Sequence, residues 1–268
     1  MSEPKRDRWG RYILTDPGTG EEQPWVRATT IAKTIDSMYG LHAWEKRMQM
    51  LGLAARPDLL DLAYASDPED KKQLDELCEK ALEAAKSSVK SHQGTALHKF
   101  TARLDSGQLS RSPAKWDEDL HAYLELKKRE GIETHPLFVE RITVVPALGC
   151  AGTMDRIVRH QGIPKIADLK TGGSLEHAQL SIAMQLAIYA HGAGLWNEQT
   201  GKWGQMPKGL SLTEGLVIHL PAGEANPKVY PVDLVKGWEM AKIARLVYDA
   251  RKDRTYIRGL DGNDDESG

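Results

Sequence analysis

Asp168-Leu169-Lys170 closes an apolar run that begins near Ile163 and leads into Thr171-Gly172-Gly173. In an extended strand, residues i and i+2 point to the same side. One face of this strand end therefore carries a carboxylate beside an ammonium, while Leu169 points into packing. Acid-x-Lys triplets start at Glu3, Glu69, Asp70, Glu125 and Asp168, five in all. Only the last ends an apolar strand and enters a glycine turn, so its context singles it out. Asp155 lies on the preceding strand, and a hairpin turning at His160-Gln161-Gly162 can set it beside Asp168. Adjacent carboxylates repel and raise one pKa. A divalent cation removes that cost, and hard oxygen ligands suit Mg2+ or Mn2+. Such a cation polarises a phosphoryl oxygen and lowers the pKa of bound water. Lys170 then orients that water or stabilises charge on the phosphate.

The elements around these residues follow from periodicity. Residues 1–24 read as an arm or short hairpin. Thr29 or Thr30 caps a helix to about Tyr39, and Leu41–Leu53 forms a second helix. Asp67 and Pro68 start a helix carrying Leu74, Leu77, Ala81 and Ala85. Gly94 punctuates it, and a further helix runs through His98 to Gly107. Ala114–Arg129 is helical. After Gly131 the pattern turns to strands: PLFVERITVVP, with Phe138, Glu140, Ile142 and Val144 on one face, then Cys150–Arg159 and Ile163–Lys170. An amphipathic helix over Ser174–Gly192, a strand pair at about 215–220 and 228–231, and a last helix from Val232 to Lys252 complete the chain. This order predicts an α/β (α+β) fold with a mixed central sheet of about five strands flanked by helices. The expected organisation is an arm and helical region over 1–68, a core over 69–256 and an acidic, disordered tail over 257–268.

Composition narrows the function. The chain has 268 residues, a net charge of −2 and two cysteines, Cys78 and Cys150. The balance excludes a histone-like basic wrapper but permits a local basic groove. Two separated cysteines exclude a disulfide framework and an iron–sulfur cluster, and point to a reduced, cytoplasmic setting. No apolar run approaches the ~20 residues of a membrane span, so no membrane association is expected. Gly201-Lys202 is followed by Trp203 rather than Ser or Thr, so no Walker A motif and no nucleotide cofactor is expected.

Four short elements in order then resemble the RecB-type PD-(D/E)XK nucleases, close to exonucleases that many bacteriophages encode. These are Gly94-x-x-x-His98, Gly152-x-x-Asp155, Asp168-x-Lys170-Thr171-Gly172 and Gln185-x-x-x-Tyr189, covering roughly residues 94–190. The Pro of the superfamily name is absent, since Met154 precedes Asp155. The resemblance implies a restriction-endonuclease-like core and metal-dependent hydrolysis of DNA. It implies that Asp155, Asp168, the Leu169 backbone carbonyl and His98 hold the cation and that Lys170 serves the attacking water. Gln185, Tyr189 and Thr171 would face the DNA. It further implies a phage recombination, replication or repair setting in the bacterial host cytoplasm, with a single-strand annealing protein or a separate helicase as partner. Oligomeric state stays open.

Other readings compete at several positions. His98 as a core helix residue and Asp168–Lys170 as a plain ion pair are the bland alternatives. Glu140 is either a second-metal carboxylate or a solvated edge residue. Lys99 and Arg103, with Lys86 and Lys90, line a phosphate-tracking groove or are merely solvated. Trp25, Trp44, Trp116, Trp196 and Trp203 stack bases or pack the core. At the level of function, a structure-selective or nicking endonuclease and an inactive DNA-binding module stand beside the exonuclease.

Overall fold

The computed structural model describes residues 4–85, 88–109 and 112–257, without the side chains of residues 88–92. Lys86, the Lys90 and His92 side chains and nearly all of the acidic tail lie outside the described residues. Its scaffold is the hairpin of β4 (Cys150–His160) and β5 (Ile163–Lys170), which pair antiparallel from His160↔Ile163 to Arg156↔Ala167. Gln161 and Gly162 between them both have positive φ, 53° and 79°. That is the backbone of the two-residue turns matching strand twist. β3 (Ile132–Val145) lies antiparallel to β4 on its other side. β8 (Glu214–His219) runs parallel to β5, and β9 (Lys228–Asp233) closes that edge.

The N-terminal segment forms β1 (Tyr12–Thr15) and β2 (Glu22–Arg27), a hairpin as expected. β2 then joins β4 in parallel through Val26↔Cys150 and Arg27↔Ala151. The sheet therefore has seven strands rather than about five. A further small hairpin, β6 (Leu195–Asn197) with β7 (Lys202–Gly204), has no counterpart in the expected order of elements. Three-residue strands carry too little alternation to be read from sequence.

Helices cover both faces. On one face α1 (Ala28–Lys33), α7 (Gln179–Ala190) and α8 (Leu234–Ala250) enclose a core with Met154, Ile157, Ile166 and Val217. α7 is buried almost all round, so it is not the amphipathic helix expected: α1, α8 and the sheet pack on it. On the other face α5 (Ser88–Asp105) and α6 (Asp117–Arg129) pack Leu97, Leu120 and Tyr123 against Leu169 and Ile218. α2 (Tyr39–Ala55), α3 (Pro57–Ala65) and α4 (Lys71–Ala84) pack on one another around Leu59, Leu77 and Ala81.

Several boundaries differ for local reasons. α1 stops at Lys33, short of Tyr39. Pro57 at the first position starts α3, a helix absent from the expected elements. The cap of α4 is Asp70, accepting from Gln73 N–H, while Asp67 accepts from Glu69 N–H in the preceding turn. α5 runs straight through Gly94.

Candidate active site

The ladder of β4 and β5 ends at Arg156↔Ala167, and Asp155 and Asp168 stand at the next step. There the strands part. Asp155 Oδ2 accepts from the Leu169 backbone N–H at 2.8 Å, taking the place of the missing rung. Asp168 is 3% exposed, and Lys170 Nζ lies 2.7 Å from its Oδ2. Among the described residues, this ion pair is the one close polar contact of Oδ2. Gln185 Nε2 reaches Asp168 Oδ1 only at 3.5 Å. Burial first, and then the Asp155 charge, push Asp168 up to about 7 against the pull of Lys170.

α5 delivers His98, whose Nδ1 stands 3.5 Å from Asp155 Oδ2. Burial holds its pKa below the ordinary value, while Asp155 and the Leu169 main chain pull upward. Leu169 thus turns its side chain into the core and its peptide toward the site. Glu140 lies opposite Asp155 between the pairs Val139↔Arg156 and Arg141↔Met154. Its φ is 49°, a left-handed conformation rare outside glycine. That kink breaks the strand's alternation. Phe138 packs with the α7 side, whereas Ile142 and Val144 pack with Tyr12, Leu14 and Trp25, so the expected shared face does not form. Glu140 remains open to solvent, yet crowding around its carboxyl, then the charge of Asp155, push it up to about 7.

The two signature glycines make room rather than turns. A Cβ at Gly94 would meet Thr171 Oγ1 at 2.4 Å, so α5 can approach the Thr171-Gly172-Gly173 turn only without one. His98 follows one helical turn later, on the same face. A Cβ at Gly152 would meet Tyr189 Oη at 2.8 Å and Ala28 at 3.1 Å. Tyr189 is 3% exposed, and its hydroxyl lies beside the Gln185 side chain. It therefore supports Gln185 from beneath.

Two grooves meet at His98. One, of about 840 Å3, runs between α5 and the β3 and β6–β7 region, past Lys99, Arg103, Glu140, Asp155 and Trp196. The other, of about 480 Å3, is bounded by Gln93, Thr171, Gly172, Gly173 and Glu224. Of the tryptophans, Trp25 and Trp116 are buried, Trp203 donates to the Thr15 carbonyl, and Trp196 lines the larger groove.

Two supports were invisible in the sequence. Arg156, fully buried, turns away from Asp155 and pairs with Asp105 at 2.8 Å, beside Tyr123 and Thr101; Lys127 also pairs with Asp105. Neither Arg156 nor Arg159 pairs with Asp155; Arg159 donates to the Gly162 carbonyl. His219 Nε2 lies 2.6 Å from the Gly172 carbonyl and is paired in register with Lys170, fastening the turn after the lysine.

Among the described residues, no three His, Cys, Asp or Glu side chains are gathered into a ready-made cation cage. Asp155 is spent on the Leu169 N–H, and Asp168 leans on Lys170. The donor chemistry nonetheless fits a hard divalent cation. Asp168 offers a buried carboxylate that only Lys170 meets closely, beside a second carboxylate whose charge raises its pKa. No helix among the described residues is long and apolar enough to cross a membrane. No curated protein matches the sequence. The family model of the PD-(D/E)XK nuclease superfamily matches residues 42–230, well over half of the chain and spanning all four motif elements. The protein belongs to the PD-(D/E)XK nuclease superfamily.

Proposed function

We propose that this protein is a divalent-metal-dependent DNA exonuclease, with Asp155, Asp168 and Lys170 as its catalytic core. The observation that carries the reading is the pair of carboxylates Asp168, buried, and Asp155, with Lys170 as the one ammonium on Asp168 Oδ2, at a strand fork bordering a groove. Asp155, Asp168, the Leu169 carbonyl and His98 would hold Mg2+ or Mn2+, with Glu140 as a further carboxylate at the rim. A bound cation of this kind supplies polarisation of a phosphoryl oxygen and a water of lowered pKa. Lys170 places a positive charge where the pentavalent phosphate gathers negative charge and orients the attacking water. Water adds to phosphorus, and the ester oxygen leaves with a proton. Gln185, braced by Tyr189, orients Asp168 and the neighbouring phosphate, and Thr171 shapes the turn that the strand passes. Lys99 and Arg103, exposed on the groove wall, neutralise backbone phosphates.

The exonuclease mode, the phage setting, the host-cytoplasm location and an annealing protein or helicase as partner rest on the motif resemblance alone. Digestion of end-labelled linear duplex and single-stranded DNA beside a closed circle, with Mg2+, Mn2+ or EDTA, tests the reading. Metal-dependent loss of linear DNA only, abolished by Lys170→Ala, is expected. Cutting of the circle makes it an endonuclease. Binding without any cleavage overturns the enzyme reading.

A further inference from the structure

We infer that the protein carries a second DNA contact outside the cleavage grooves. It is a basic and aromatic pocket that takes one phosphate and one base of an unpaired strand. The pocket, of about 430 Å3, opens between the N-terminal hairpin, the start of α1 and the end of α8. Trp9, Arg11, Arg27, Thr30, Tyr248 and Lys252 line it. Trp9 is 60% exposed, and the guanidinium groups of Arg8 and Arg11 lie 4.0 and 5.0 Å from its ring centre. Of the neighbouring acids, Asp7 pairs with Arg11 of the pocket itself, which leaves that arginine neutralised, and Asp249 pairs with Arg245. Lys252 donates to the Tyr248 hydroxyl, and among the described residues neither Arg27 nor Lys252 has an acidic partner. An exposed indole beside Arg8, with Arg27 and Lys252 in the same pocket region, matches a stacked base and its phosphate, and unpaired strands are held in this way.

The pocket is joined to the catalytic centre by the fold. Arg27 precedes Ala28, which packs where a Cβ on Gly152 would stand, and Gly152 precedes Asp155 by three residues of β4. At a strand's rise per residue this puts about 10 Å between that contact and Asp155. A strand seated here is held on the sheet edge, apart from the groove lined by Lys99 and Arg103, and stays tethered while a linkage is cut. The inference rests on DNA being the substrate.

The test uses the full chain carrying Lys170→Ala, so that DNA survives, and follows binding of a labelled oligothymidylate strand across a salt series. Arg27→Ala with Lys252→Ala should bind at least ~10-fold weaker, with a salt slope lower by roughly 0.7 for each phosphate no longer neutralised. Trp9→Ala should weaken binding by about 5- to 100-fold with the slope unchanged, and Trp9→Phe should restore most of it. With Lys170 restored, these variants should hydrolyse bis(p-nitrophenyl) phosphate like the parent, because that ester is too small to reach the pocket. Unchanged affinity and slope in both the charge and the Trp9 variants would overturn the inference. So would a mononucleotide that competes as tightly as the strand, which would make this a nucleotide pocket instead. If the parent cleaves no phosphodiester, the nuclease reading fails, whereas binding that is weakened in these variants still supports the pocket.

Discussion

Asp105 and Asp168 are both buried, with side chains 1% and 4% exposed, on opposite faces of the sheet. Asp105 is met from every side: Arg156, Lys127 and the Tyr123 hydroxyl all donate to it. Asp168 is met by one lysine at 2.7 Å and one glutamine at 3.5 Å. Burial and the Asp155 charge outweigh that single lysine and draw its pKa up to about 7. The completed set ties α5 and α6 to β4 and so fixes where His98 and Asp155 stand. The set at Asp168 has one ammonium against two neighbouring carboxylates, Asp155 and Asp168. One buried acid is scaffold; the other is the site proposed above.

Exchanging the two acids should break that contrast in opposite ways. Asp168→Asn and Lys170→Ala should each lower cleavage of linear DNA at least ~1,000-fold with the fold intact, as read by initial rates and circular dichroism. Asp105→Asn should instead strip Arg156 of its counter-charge and destabilise the protein by about 3–5 kcal/mol in urea unfolding. In metal-free buffer Asp168→Asn should cost far less stability than Asp105→Asn, since burial and Asp155 already disfavour the Asp168 charge.

Smaller effects sharpen the comparison. Gly152→Ala drives a methyl into Tyr189 and Ala28. It should cost about 1–3 kcal/mol in thermal unfolding and reduce cleavage through displaced Gln185. The pH dependence carries a sign. Asp168 and Glu140 hold protons more tightly folded than unfolded, so metal-free stability should fall as pH rises from about 4 through about 7 and then level off. His98, held below its ordinary value, works the other way, lowering stability as pH drops below about 6.5. The fall assigned to Asp168 should vanish in Asp168→Asn and flatten with Mg2+ in the parent, both visible in melting curves. The smallest change is expected from Lys99→Ala with Arg103→Ala. It should weaken duplex binding and lower the salt slope by roughly 0.9 for each phosphate left without its cation.

The active face was the more legible one, because its parts are short-range. The Asp168–Lys170 alternation, the hairpin that aligns Asp155 with Asp168 and the helical spacing of Gln185 and Tyr189 follow from strand and helix geometry. The scaffold face was not legible. Arg156 and Asp105 are 51 residues apart, and nothing local in either segment announces the pair. Gly94 reads as a break because a glycine needed for close approach looks like a glycine needed for a turn. The Glu140 kink was hidden by a strand pattern that it interrupts at a single residue. The β2–β4 pairing that widens the sheet rests on two residue pairs, too few to leave an imprint on composition.

Asp168, a buried carboxylate met by one ammonium beside Asp155, is proposed to hold a divalent cation where DNA is cleaved. Titration of Mn2+ into the metal-free protein by calorimetry, run for the parent, Asp168→Asn and Asp105→Asn beside linear-DNA digestion, tests it most directly. Mn2+ binding and cleavage are expected in the parent, loss of both in Asp168→Asn, and retained binding in Asp105→Asn under conditions where that variant is folded. Mn2+ binding and cleavage undiminished in Asp168→Asn would contradict it.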